Sequence, residues 1–108
     1  MRFVVAKPFK GDYQRLSENE RRMFRQAARD FSAACDQFIV HKDPTCWPTN
    51  LRAKAVTNAP GIFEMTWSFR GPDGRAIWEW TTIVDNDGHS WPAVRWRRLG
   101  NHRIFQKP

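Results

Sequence analysis

The chain has no apolar run long enough to enter a membrane. Its opening Phe3-Val4-Val5-Ala6 stretch is cut off by Lys7 and Pro8, well short of a signal-peptide core or of the roughly 20 residues of a spanning helix. The reading is therefore a cytoplasmic protein with no membrane partner. Cysteine and histidine are also scarce, with two of one and three of the other. Cys35 falls on the apolar face of a helical pattern and Cys46 in a Pro-rich stretch, without the repeated C-x-x-C spacing of a zinc or redox centre. His41, His89 and His102 lie at loop or strand ends with no i, i+4 pairing, so no metal and no cofactor are expected. Acidic residues are outnumbered, 11 Asp and Glu against 18 Lys and Arg, which leaves a net charge of +7. Repeats, low-complexity tracts and long linkers are missing as well.

What is present suits one folded domain over residues 1–108. Of the 108 residues 41% are hydrophobic, with six Trp, eight Phe and one Tyr, enough for a single core and too apolar for a disordered chain. The positive balance favours polyanionic partners: nucleic acid, an anionic membrane surface or an acidic protein. A merely solvated basic surface would carry the same charge.

Arg2 to Val5 reads as a short strand. Ser17-Glu18-Asn19-Glu20 then matches a capping box, in which the serine hydroxyl and the Glu20 carboxylate satisfy free amides at a helix start. Met23, Phe24, Ala27, Ala28, Phe31, Ala34, Cys35 and Phe38 recur at three- and four-residue steps, predicting a helix to about Gln37 with that face buried. Arg21, Arg22, Arg25, Arg29 and Asp30 fall mostly on the opposite, solvated side. Lys42 to Asn50, with Pro44 and Pro48, reads as a loop in which Trp47 plugs against the helix.

From Leu51 the period changes to two. Leu51, Ala53 and Ala55 alternate with Arg52 and Lys54, and Phe63, Met65, Trp67 and Phe69 alternate with Glu64, Thr66 and Ser68. Gly71-Pro72-Asp73-Gly74 marks a turn before a strand from Arg75 to Val84, and Asp85-Asn86-Asp87-Gly88 a second turn before Ala93 to Leu99. The expectation is an α+β domain: an N-terminal helix, or helical pair, packed on a four-stranded antiparallel sheet, with Arg2 to Val5 as an added edge strand.

With the large side chains facing the helix, the other sheet face holds Arg52, Lys54, Glu64, Thr66, Ser68, Arg75, Ile77, Glu79, Arg95 and Arg97. Cations drawn from several strands beside hydroxyls and carboxylates could seat an RNA strand. The end of the chain adds Arg98, His102 and Arg103. Cleaving RNA without metal needs a base for the 2′-hydroxyl, cations for the charge on phosphorus and an acid for the leaving 5′-oxygen, roles open to Glu64, to Arg75 with Lys54, and to His102. Each has an ordinary counterpart: Glu64 as a cross-strand partner of an arginine, Arg75 closing a turn, Lys54 as an exposed lysine. His102 has an unperturbed pKa near neutrality, which suits proton transfer. The tryptophans are mainly core, with Trp91 or Trp96 placed at a strand end where a base could stack.

Four segments, Leu51-Arg52-Ala53-Lys54, Pro60-Gly61-Ile62-Phe63-Glu64-Met65, Gly74-Arg75-Ala76-Ile77-Trp78 and Val94 through Phe105, together with Phe9 and Leu16 ahead of the helix, resemble in order and spacing the RelE/ParE superfamily of type II toxin-antitoxin toxins. The resemblance implies a toxin that cleaves mRNA in the ribosomal A site, inhibits translation and is masked by an acidic antitoxin. It carries basic and acid/base positions over to Lys54, Arg75 and His102, and RNA-phosphate contacts to Arg52, Arg97 and Arg98; Arg95 and Arg103 extend the same basic run. One departure stands out. Many cleaving members end near a tyrosine where this chain has Phe105, which leaves His102 as the proton donor. The superfamily also holds gyrase-poisoning members, so a non-enzymatic binder and a general nucleic-acid-binding module are the competing readings.

Overall fold

A computed structural model describes residues 1–41, 52–68 and 73–100. The elements run β1 (Arg2–Val5), α1 (Lys7–Arg15), α2 (Glu18–His41), β2 (Lys54–Ala55), β3 (Phe63–Ser68), β4 (Asp73–Val84) and β5 (Ser90–Gly100). The class is α+β, as expected. The sheet is five-stranded and mixed rather than purely antiparallel, in the order β1-β5-β4-β3-β2. β2 to β5 pair antiparallel in sequence order, whereas β1 joins β5 in parallel, Phe3 opposite Val94 and Val5 opposite Trp96. Parallel neighbours cannot be joined by a tight turn: the helical pair leads from β1 at one edge to β2 at the other, and the antiparallel run returns to place β5 beside β1.

Two helices stand where the apolar period showed one clearly. α1 starts with a proline in its first turn, where the missing amide costs nothing. Its final carbonyls are satisfied from α2: the Arg21 guanidinium donates to the carbonyl oxygens of Tyr13 (3.1 Å) and Gln14 (2.8 Å). One member of the arginine face thus ties the helices together. The capping box forms as read, with the Ser17 amide donating to Glu20 Oε1 at 2.9 Å and the Glu20 amide to Ser17 Oγ at 3.1 Å. α2 runs past Gln37 to His41, where Phe38 stacks on Trp80 with ring centres 5.7 Å apart.

The core lies between the helices and one sheet face. Phe31 of α2 meets Trp78 and Trp96 at 4.8 and 5.3 Å, and Phe24 meets Trp67 and Trp96, both at 5.4 Å. Cys35 is fully buried there, and burial pushes its thiol up to about 12. Trp96 is therefore core, which withdraws it as a base-stacking residue. Trp91 is on the opposite face, partly exposed, with the Arg2 guanidinium 4.0 Å from its ring centre and its indole donating to Asp85 Oδ2 at 2.9 Å.

The strand limits differ at both ends from the sequence reading. Of the described residues of the expected strand, Arg52 to Ala55, β2 keeps Lys54 and Ala55, and Arg52 before it has a φ of 44°, a left-handed conformation uncommon for arginine. β4 begins at Asp73, so Asp73 and Gly74 are strand rather than turn, and β5 begins at Ser90 because Val84 and Ser90 still pair. The Asp85–Gly88 turn forms: Asp85 Oδ1 accepts from the amides of Asp87 and His89, and Gly88 takes a φ of 82°. Leu51, Phe69, Gly71 and Pro72, the loop with Cys46 and Trp47, and His102, Arg103 and Phe105 lie outside the described residues.

A bulge in β5 sets the outer face. Trp78 pairs with Trp96 but Ile77 pairs with Arg98, so Arg97 is an extra residue. Trp96 and Leu99, three apart, can then both point into the core while Arg97 and Arg98 stay out of it. Ile77 lies on the outer face as expected yet is fully buried, with Glu64 and Arg98 as its cross-strand neighbours. Glu64 and Thr66 are buried beside it. The face is thus not uniformly solvated: it is closed over its centre and open at its cations.

Candidate phosphate-binding face

Antiparallel pairing of β2, β3 and β4 brings together three of the four expected catalytic residues. Lys54 is opposite Glu64, and Arg75 is opposite Thr66, two residues along from Glu64 and on the same face. The Lys54 ammonium is 3.4 Å and the Arg75 guanidinium 3.8 Å from Glu64 Oε1, and Arg75 Nη1 also reaches Thr66 Oγ1 at 3.5 Å. The Glu64 side chain is 6% exposed against 69% for Lys54 and 22% for Arg75. A carboxylate is thus seated at the bottom with two cations above it, one of them in solvent. Buried charge is tolerated where counter-charges meet it.

Next to this cluster a second carboxylate holds two more expected residues. Glu79 is opposite Arg95 across the β4–β5 pair; its Oε1 is 3.1 Å from Arg95 Nη1 and its Oε2 is 3.3 Å from Arg97 Nη1. Sequence alternation placed Glu79 on this face without giving it a role. Arg52 is exposed just before β2.

Arg98 is committed elsewhere. Its Nε and Nη2 donate to the Asp12 carboxylate at 2.7 and 3.1 Å, in bidentate geometry, and Asp12 also accepts from the Leu99 amide at 3.0 Å and from Arg15 at 2.7 Å. Burial alone would raise the Asp12 carboxyl, but these donors outweigh it and hold the group below its ordinary 3.8. The same contact raises Arg98. A guanidinium clamped on a buried carboxylate serves the fold first, so Arg98 is a weaker candidate for an RNA phosphate than Arg95 or Arg97. Asp12 has no flag in the sequence; a lone Asp in a nine-residue helix looks like any exposed acid.

No family model matches the chain, and it matches no curated protein and no solved structure.

Chemically, the face offers a buried carboxylate flanked by Lys54 and Arg75, and a guanidinium pair at Arg95 and Arg97. Trp91 lies farther along β5 on the same side. Apolar grooves form on the helix side, one lined by Phe38, Ile39, Trp80 and Pro92 and another by Phe38, Ala53, Phe63 and Trp78. Among the described residues, one exposed group has metal-ligating spacing, Asp85, Asp87 and His89 on the β4–β5 hairpin. Both Asp85 oxygens already accept hydrogen bonds from within that turn. No helix of the described residues is long and apolar enough to cross a membrane.

Proposed function

We propose that the chain is an endoribonuclease of the RelE/ParE kind, a toxin that cuts mRNA at the ribosome without a metal and is neutralised by an acidic antitoxin. The observation that carries this reading is the convergence of Lys54, Glu64 and Arg75 from three strands onto one carboxylate oxygen. The leading edge strand and helical pair ahead of an antiparallel run also agree with what the resemblance implies.

In the proposed reaction a single-stranded RNA lies on the outer face with its phosphates on Arg95 and Arg97. Displacement of the exposed Lys54 ammonium opens Glu64 to the 2′-hydroxyl. Glu64 takes that proton, the 2′-oxygen bonds to phosphorus, and Arg75 and Lys54 stabilise the charge that grows on the phosphoryl oxygens. The bond from phosphorus to the 5′-oxygen breaks, and His102 gives its proton to the leaving oxygen. The products are a 2′,3′-cyclic phosphate and a 5′-hydroxyl. Among the described residues, Trp91 is the tryptophan of this face suited to stack on a base.

Induced expression tests the reading. Growth arrest should accompany mRNA cuts in phase with codons, and the cuts should vanish in Arg75→Ala and His102→Ala. Arrest with intact mRNA and altered DNA supercoiling would favour a gyrase-directed protein. Salt-dependent RNA affinity with no growth phenotype would leave a general binder.

A further inference from the structure

The Glu79 carboxylate has the geometry of a phosphate already bound. It presents two oxygens, each 3.1 to 3.3 Å from a different guanidinium. A phosphodiester presents its two non-bridging oxygens to arginines in the same way. Arg95 and Arg97 are 43% and 36% exposed at the side chain and Glu79 20%, so a ligand approaching from solvent reaches the guanidiniums first. The two arginines are held on one side by the strand pairing and by the bulge at Arg97. The face has thus built a two-arginine fork and filled it with one of its own acids.

We propose that Glu79 is an internal stand-in for a phosphate: it keeps Arg95 and Arg97 converged, and a backbone phosphate of a single-stranded RNA displaces it from between them. This rests on the RNA-directed reading above and adds a specificity-determining residue to it. The energetics favour exchange. Solvent reaches both guanidiniums and screens their pairing with Glu79, and a phosphate that takes them over replaces one anion with another. The consequence is a threshold: the fork carries a net +1 with Glu79 in place and +2 without it. Isolated small anions gain too little to displace a tethered carboxylate, whereas a phosphodiester backbone anchored at Lys54 and Arg75 gains enough.

The test is the affinity of a single-stranded oligouridylate for the wild-type chain, Glu79→Gln, Arg95→Ala and Arg97→Ala across a salt series. Glutamine keeps the shape and removes the charge. Glu79→Gln should bind about three- to tenfold more tightly at low salt, with a slope of log affinity against log salt steeper by about 0.7, the value for one more phosphate neutralised on a single strand. Arg95→Ala and Arg97→Ala should weaken binding and flatten the slope. Thermal unfolding of each variant checks that it is folded. If the wild-type chain binds and Glu79→Gln is unchanged or weaker, the stand-in role is overturned while the RNA-directed reading survives. If the wild-type chain shows no salt-sensitive affinity, both fall.

Discussion

Asp12 and Arg98, 86 residues apart, are joined by two charge-assisted hydrogen bonds of 2.7 and 3.1 Å. The contact finishes an edge. β1 pairs with β5 only as far as Trp96, and beyond that point Asp12 of α1 accepts the Leu99 amide as a neighbouring strand would. One buried carboxylate thereby fixes the stretch of β5 leading from the Arg97 bulge towards the last residues of the chain.

Removing that carboxylate should be costly. Asp12→Asn loses the bidentate acceptor and leaves Arg98 facing an amide; breaking a buried pair in this way costs about 3–5 kcal/mol. Urea denaturation should show the midpoint falling with no change in slope. Arg15→Ala serves as the comparison, because the Arg15 side chain is 72% exposed, and its loss should cost under about 1 kcal/mol.

The same carboxylate predicts an acid-labile step. Its folded pKa lies below the unfolded value of 3.8, so the unfolded chain binds its proton at higher pH than the folded chain does. The stability it contributes is complete above the unfolded value and is lost as pH falls through the folded one. Denaturation measured between about pH 5 and pH 2 should show the wild type losing stability more steeply than Asp12→Asn. Parallel curves for the two proteins would mean that Asp12 is not the group responsible.

The helix register, the capping box, the hairpin turn and the grouping of Lys54, Glu64 and Arg75 were legible because each rests on local period or on strand parity. The parallel docking of β1 was not, since a four-residue strand carries no signal for the direction of its partner. The bulge was partly legible: two arginines between Trp96 and Leu99 break a period of two, and only an extra residue restores both apolar side chains to the core. The partners of Arg98 and Glu79 depend on which acids meet which cations across elements, and composition cannot specify that. Ile77 shows the same limit, because parity gives the face of a residue and not its burial.

The bulge makes a prediction that separates charge from register. Arg97→Ala removes a half-exposed guanidinium and keeps the extra residue, so stability should stay within about 0.5 kcal/mol of wild type. Deleting Arg97 removes the bulge itself: Trp96 and Leu99 become two apart and both still face the core, with Ile77 opposite Arg98 and Ala76 opposite Leu99 as before. That variant should keep a cooperative thermal transition. A deletion variant that loses the transition would show that the bulge, and not only the register on either side of it, is required.

Glu64 offers the sharpest separation between a working residue and a structural one. Its position under Lys54 and Arg75 fits a general base, and it equally fits a counter-ion that lets two cations sit on adjacent strands. Glu64→Gln keeps the volume and the hydrogen-bonding reach but cannot take a proton. As a base, its loss should lower cleavage by about 10²- to 10⁴-fold, while affinity for a non-cleavable RNA analogue stays the same or rises because a negative charge has left the face. As a counter-ion only, the variant should unfold more readily, yet the fraction that remains folded should cleave at the wild-type rate. Measuring single-turnover cleavage, analogue binding and the denaturation midpoint on the same preparation distinguishes the two. Lys54→Ala completes the comparison: it exposes Glu64 without removing it, so binding should weaken while the remaining cleavage is still abolished by Glu64→Gln.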